Sequence, residues 1–369
     1  TAPIDEPRFE KEGLLIEGAS TNLQINSGDL GIPGAGNGDR LSLTKDVVGI
    51  DGVSASANRV YKTGSESTPG GSVYFMGDTS VAFVAGSTYT ASLFIKPEQE
   101  TVFKLTAHGG YMTTNKSAVF TLTGEGSIVV DAGVTASVSQ YGDWYRVSLT
   151  YTPTSSVASI YGVLCYPVTY TNATNLPSVG NWCLTFGAQI EELPFASSYI
   201  PTTTTAVTRS GDDCKVTYKN NTSVTVTDST TCGEYSLLGI QPSNANVQTV
   251  SSNKFSRYSF GASYGSNSKK VSNEGSNTFH TVTTTHSNNY GSFTQTRNVA
   301  SGELKLYMDG TYEGGYIDST IRSGLGDTNE ITLGRQDTNT TTYLFGHIKN
   351  FKIYDTALTA NEIKLLQGA

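Results

Sequence analysis

Gly261-Ala-Ser263-Tyr-Gly265 satisfies the G-x-S-x-G spacing of a nucleophile elbow, the most explicit catalytic pattern in the chain. An elbow requires a buried strand before its serine, a helix after it, and then an acid and a histidine in order. Here SNSKKVSNEG follows, with no helical period, so Ser263 is not read as a nucleophile. Glu191-Glu192 and Asp212-Asp213 are adjacent carboxylate pairs of the kind glycoside hydrolysis uses, but neighbours on a strand point to opposite faces, so both pairs read as surface charge. His280 and His286 fall on one parity of a Thr-rich run, while His108 and His347 stand alone, and no H-E-x-x-H pattern occurs. Asp327, Asn329, Glu330, Asp337 and Asn339 form an oxygen-rich cluster whose chemistry suits calcium, although the spacing does not copy an EF-hand. With no nucleophile, acid pair or metal cluster in the context its chemistry requires, the chain is expected not to be an enzyme.

The elements that must position these residues read as strands. Hydrophobic residues make up 37% and charged residues 15% of 369, with Gly, Ser, Thr, Asn and Tyr abundant, a composition for short strands and tight turns. That length accommodates two domains. The net charge of −8 comes without a Lys/Arg block, which excludes nucleic acid and anionic membrane as partners. No apolar run approaches the roughly 20 residues of a spanning helix, and TAPIDEPRFEKEG carries neither a signal nor a transit pattern. Cys165, Cys183, Cys214 and Cys232 lack C-x-x-C spacing, and their sequence separation leaves the pairs Cys165/Cys183 and Cys214/Cys232 open as disulfides.

Short alternating runs, each closed by Gly, Pro or a polar turn, recur from Ser72 to Thr152, as expected of a β-sandwich. In NWCLTFGAQIEELPFASSYIPTTTT, Trp182, Leu184, Phe186 and Ala188 alternate with polar or small residues, giving a strand with one face in a core. Pro194, Pro201 and the threonines then read as a connection with little core of its own, separable near Thr202 to Thr205. Trp144 and Trp182 are expected to be buried. Tyr166 and Tyr170 fall in a long polar loop, a place where function concentrates. Asp309-Gly310 suits a type I′ turn after Leu304, Leu306 and Met308, with Tyr312 and Tyr316 just beyond it. Thr359 and Glu362 form a capping box for a short helix that covers the sheet with Ile363 and Leu366.

Five segments carry two resemblances. PRFEKEGLLIEGASTNLQINS, GDWYRVSLTYTP and GAQIEELPFASSYIPTTTTAVTRSGDD resemble the opening, a middle strand and the ending of a carbohydrate-binding-like jelly roll found in bacteriophage tail fibres and tail spikes. From roughly Gly302 to Leu366 the chain resembles the closing strands of a concanavalin A/laminin-G-like sandwich, and FHTVTTTHS resembles one of its structural strands. The resemblance implies an all-β chain of two tandem sandwiches, a jelly roll over residues 1–208 and a lectin-like domain over 209–369. It further implies a virion surface fibre or spike, assembled in the bacterial host cytoplasm, that binds host-cell glycans as a homo-oligomer, trimer favoured, beside other virion proteins. Two alternatives stand: a structural capsid or tail decoration protein, and the binding region of a polysaccharide depolymerase. Assembly in a reducing cytosol implies free thiols. Calcium is the one candidate cofactor. Glycan contact is expected through Tyr166, Tyr170, Tyr312 and Tyr316, with Asp327, Asn329 and Asp337 as candidate calcium ligands.

Overall fold

The computed structural model describes residues 7–30, 41–62, 81–160, 163–167, 182–217, 229–238, 247–253, 259–263, 269–275, 278–283, 289–298, 300–317, 330–334, 343–354 and 356–366. The described residues are built almost wholly of strands, with one helix among them, Ala360–Leu366. The chain forms two compact units, residues 20–209 and residues 1–19 together with 210–369. The second of these resumes at Ser210. The first nineteen residues, however, expected to open the first domain, belong with the C-terminal unit, so one sandwich is inserted into the chain of the other. The physical reason is a strand: Gly13–Ile16 pairs with Gly346–Tyr354, and Ile16 enters a core with Tyr235, Leu237, Phe293, Leu306 and Ile348.

In the unit of residues 20–209, a six-stranded antiparallel sheet runs Thr135–Tyr141, Trp144–Tyr151, Tyr89–Pro97, Trp182–Glu191, Ala57–Lys62, Leu41–Val47. A four-stranded sheet runs Ser127–Val130, Lys116–Thr121, Val102–Ala107, Val163–Pro167. Their facing sides fill one core: Ala91, Leu93, Ile95, Val147 and Leu149 from the first, Phe103, Leu105, Ala118 and Phe120 from the second. Each set alternates along its strand, as the period-2 pattern requires.

Trp182–Glu191 departs from its expected pattern. A bulge between Phe186 and Gln189 shifts the parity, with Gly187 at φ 64°. Cys183, Ala188 and Ile190 therefore face the main core, whereas Leu184 and Phe186, joined by the flanking Trp182, build a second cluster with Ala57 and Trp144 on the opposite face. Trp144 is buried as expected, but in this outer cluster; Trp182 is only partly buried.

Beyond the bulge, Gln189 and Glu191 also turn outward, and there the proline and threonine run folds over them. Leu193, Phe195, Ser197, Ile200 and Thr202 are buried, so the run as far as Thr202 is not the loose connection expected. Glu191, expected to be surface charge, is fully buried. Its carboxylate accepts from Ser20 Oγ (2.5 Å), Gln189 Nε2 (2.6 Å), the Ser197 amide (3.0 Å) and Ser197 Oγ. Burial raises its pKa above the ordinary 4.5, against the hydrogen bonds and the Arg146 charge, which lower it. Asn22 closes the other end, donating to the Ala188 and Ile200 carbonyls and accepting from the Ile190 and Gln24 amides. Ser20–Asn22 pairs with Val207–Arg209, so the two chain ends of this unit leave side by side.

In the other unit a seven-stranded sheet runs Arg8–Glu10, Gly13–Ile16, Gly346–Tyr354, Ser229–Leu237, Tyr290–Asn298, Glu303–Met308, Thr311–Ile317. A six-stranded sheet runs Cys214–Thr217, Glu330–Leu333, Val247–Asn253, Ser259–Ser263, Lys269–Gly275, Thr278–Thr283. Asp212, also expected to be plain surface charge, accepts from the Arg8 guanidinium (2.5 Å) and the Glu17 amide (2.8 Å), and Arg8 reaches the buried Glu17 carboxylate at 2.6 Å. Asp309 and Gly310 take positive φ in the two-residue turn, as the dipeptide predicts. Thr359 and Glu362 make the reciprocal bonds of a capping box. Ile363 is buried beneath this helix, but Leu366 stays over one third exposed, contrary to expectation. Cys183, Cys214 and Cys232 are free thiols, so neither candidate disulfide forms. No helix among the described residues is long and apolar enough to cross a membrane.

Candidate functional site

Of the expected site residues, Tyr166, Tyr312 and Tyr316 are among the described residues. Tyr166 lies in a strand, opposite Lys104, rather than in a loop. Tyr312 and Tyr316 share the edge strand Thr311–Ile317, but a register shift places Tyr312 opposite Tyr307 and Tyr316 opposite Leu304, on opposite faces of the sheet. Tyr312 is 54% exposed, with its ring centroid 5.5 Å from that of Tyr307. Tyr170, Asp327, Asn329 and Asp337 lie outside the described residues. Among the described residues no three His, Cys, Asp or Glu side chains group as a metal site. Gly261 to Ser263 end a strand whose next described partner, Lys269–Gly275, is another strand and not a helix.

What the fold does assemble is an open cleft of about 450 Å³ in the C-terminal unit, lined by Glu12, Glu234, Tyr235, Ser236, Tyr290, Gly291, Ser292, Asp309 and Lys349. Strand register creates it. Glu234 stands opposite Ser292 on one side and Lys349 on the other, while Tyr235 stands opposite Gly291. Asp309 is carried in by the turn after Glu303–Met308; its Oδ1 accepts from the Ser292 amide at 2.7 Å and from Ser292 Oγ at 3.1 Å. Gly291 makes this approach possible, because a Cβ there would sit 3.0 Å from Asp309 Oδ1 and 3.2 Å from Tyr235 Oη. Glu234 accepts from the Asn350 side chain. Burial, and secondarily the Asp309 charge, raises the Tyr235 phenol well above its ordinary value, leaving a neutral hydroxyl at the cleft. Tyr290, 70% exposed, offers an open ring at the rim.

Chemically, this cleft sets an aromatic ring beside hydroxyl, carboxylate and ammonium groups, an arrangement that can hold a hydroxylated ring by stacking and hydrogen bonds. Glu12, Glu234 and Asp309 are all solvent-exposed. Sequence reasoning missed Tyr290, Glu234 and Asp309 as partners. The only local signals are Tyr-Gly at a strand start and Asp-Gly at a turn, and it takes the register to bring them together.

Residues 216–364 match the family model described as the concanavalin A-like lectin/glucanases superfamily, Laminin_G_3. That stretch is a concanavalin A-like β-sandwich domain. A search of curated proteins returns no match. Among solved structures, the chain is similar to the native heptameric SAP-like pentraxin from Limulus polyphemus, at 10% identity and a TM-score of 0.33, over 42% of this chain and 82% of that one. It is also similar to the CBM40 of the Ruminococcus gnavus IT-sialidase bound to α2,3-sialyllactose, at 10% identity and 0.33, over 42% and 97%. A third is the receptor-binding domain of botulinum neurotoxin D, at 17% identity and 0.36, over 43% and 42%.

Proposed function

We propose that the chain is a glycan-binding protein of a virion surface fibre or spike, and that its concanavalin A-like unit contacts host-cell glycans in the cleft beneath Tyr290. The observation that carries the binding reading is the exposed Tyr290 ring held beside Ser292, Asp309, Glu234 and Lys349. The match of residues 216–364 to a superfamily of lectins and glucanases supports it. The virion setting, with its oligomer and virion partners, is supported by the resemblance of the PRF, GDWYRVS and GAQIEE segments to phage jelly rolls. Binding without cleavage is the reading favoured by the exposed carboxylates of the cleft, and by the commitment of Glu191 and Asp212 to structural bonds.

The test is binding of the full chain to host cells and to a glycan array. Tyr290→Ala is expected to weaken binding by about tenfold, the effect of losing one stacking anchor of about 1.4 kcal/mol, with the melting temperature unchanged. Host-cell binding by Tyr290→Ala equal to the parent's would refute the cleft as the site. Release of reducing ends from host polysaccharide would favour the depolymerase reading instead.

A further inference from the structure

We propose that the cleft beneath Tyr290 selects cationic saccharides: hexosamine units whose amino group is free, and so carried as an ammonium, over their N-acetylated or acidic counterparts. This rests on the cleft reading and adds to it the charge class of the ligand.

The lining residues set the charge. Glu12, Glu234 and Asp309 share the cleft with a single basic side chain, Lys349, and all four are exposed, so negative charge is in excess. Register builds that excess. Glu234 stands between Lys349 and Ser292 on neighbouring strands, and Asp309 lies beyond Ser292, which it holds by two hydrogen bonds. On the other side the hairpin of Arg8–Glu10 and Gly13–Ile16 closes against Lys349: a Cβ at Gly13 would sit 3.0 Å from Lys349 Cβ. The turn of that hairpin brings in Glu12. Lys349 is thus set between Glu12 and Glu234, while Asp309 occupies the opposite wall. Glu10, the next carboxylate along the hairpin, is engaged by His347 at 3.0 Å and does not line the cleft.

A neighbouring group registers this field. After burial, the Asp309 charge is the second cause that keeps the Tyr235 phenol neutral. The charge that disfavours a phenolate in the cleft disfavours a carboxylated sugar there as well, and favours an ammonium.

The kind of cation follows from the spacing. Among the described residues no three His, Cys, Asp or Glu side chains group closely enough to hold a metal ion, so the charge is spread around the cleft rather than focused on one point. An ammonium suits that distribution, because it presents three N–H donors and needs no closed shell of oxygen ligands. A cleft of about 450 Å³ holds a ring and not only an ion. Tyr290 at its rim can take the apolar face of that ring, and the electron-rich face of the tyrosine also attracts a cation beside it.

The experiment is isothermal titration calorimetry of the full chain with a glucosamine hexamer, the same hexamer fully N-acetylated, oligogalacturonate, and oligolysine as a cation without a sugar ring. The free amine is expected to bind about tenfold tighter than the N-acetylated hexamer, the compounded effect of two exposed charge pairs, an advantage lost progressively as salt rises. Glu12→Gln and Glu234→Gln are each expected to weaken amine binding by about two- to fivefold and to leave the N-acetylated hexamer unchanged. Lys349→Gln is expected to tighten amine binding, and Tyr290→Ala to weaken both hexamers. Where Glu234→Gln disturbs folding, Glu12→Gln, a change in an exposed turn, decides. No binding of the glucosamine hexamer, equal or tighter binding of the N-acetylated hexamer or of oligogalacturonate, or oligolysine binding as tight as that of the glucosamine hexamer would each overturn the proposal. Tyr290→Ala then separates the two readings. A neutral or acidic sugar, or host-cell binding, that is lost in this variant keeps the cleft as a glycan site without the preference for cations; indifference of every ligand and of host cells to Tyr290→Ala removes both.

Discussion

Replacing Glu191 by alanine tests how the inserted unit is closed. The carboxylate is fully buried and receives the Ser20 and Ser197 hydroxyls, the Gln189 amide and the Ser197 N–H. Both hydroxyls can rotate towards other acceptors. The Ser197 N–H cannot, and the substitution leaves a cavity where the carboxylate had joined Ser20, near one end of the unit, to the run beginning at Leu193. Loss of these bonds, with one orphaned donor and a cavity, amounts to about 3–5 kcal/mol. For a unit of this size that lowers Tm by roughly 10 °C. The assay is calorimetry of the full chain, with Glu192→Ala, an exposed neighbour, as the control expected within about 0.5 kcal/mol of the parent. A Glu191→Ala shift no larger than that of Glu192→Ala would refute the latch. The pH dependence supplies a second readout. Because burial raises the folded pKa above the unfolded one, the folded state binds the proton more tightly, and the stabilisation from this group is full below the ordinary 4.5 and lost as pH rises through the folded pKa. Glu191→Gln, which cannot titrate, therefore costs most in acid and progressively less as pH rises; a penalty that grows with pH would contradict the assignment.

Arg8→Ala takes the guanidinium from the buried Glu17 carboxylate and from Asp212, and is expected to destabilise the C-terminal unit by about 3 kcal/mol or more, read by chemical denaturation. Gly187→Ala meets both a positive φ of 64° and the Tyr199 ring at 3.1 Å, and is expected to cost about 1–2 kcal/mol in the thermal transition of the inserted unit. Since Ser20 and Arg209 are register partners, their Cα atoms lie about 5 Å apart. Joining Ala19 to Ser210 through roughly two or three glycines is expected to give a cooperatively folding domain. Residues 210–369 alone lack Ile16 and its strand and are expected to be less stable; equal stability of the two would refute the nested arrangement.

The features legible in the sequence are those set by neighbours along the chain. Alternation marks the strands because successive side chains must point to opposite faces, Asp309-Gly310 marks its turn because few residues tolerate positive φ, and Thr359 with Glu362 marks the helix start because the bonds span three residues. The closing strands from Gly302 onward were legible for the same reason. The rest depends on groups brought together from far apart in the chain. Glu191 and Asp212 look like surface carboxylates until Ser20, 171 residues away, and Arg8, 204 residues away, are folded onto them. The bulge at Gly187 is invisible to a period-2 count, yet it decides which of Leu184, Phe186, Ala188 and Ile190 enter the main core. Strand Gly13–Ile16 chooses its sheet by pairing with Gly346–Tyr354 across more than three hundred residues, and the cleft under Tyr290 follows from the register of three strands. Local propensity can name a strand; its partner is decided only where backbone hydrogen bonds and buried side chains are satisfied together, and that is a property of the tertiary structure.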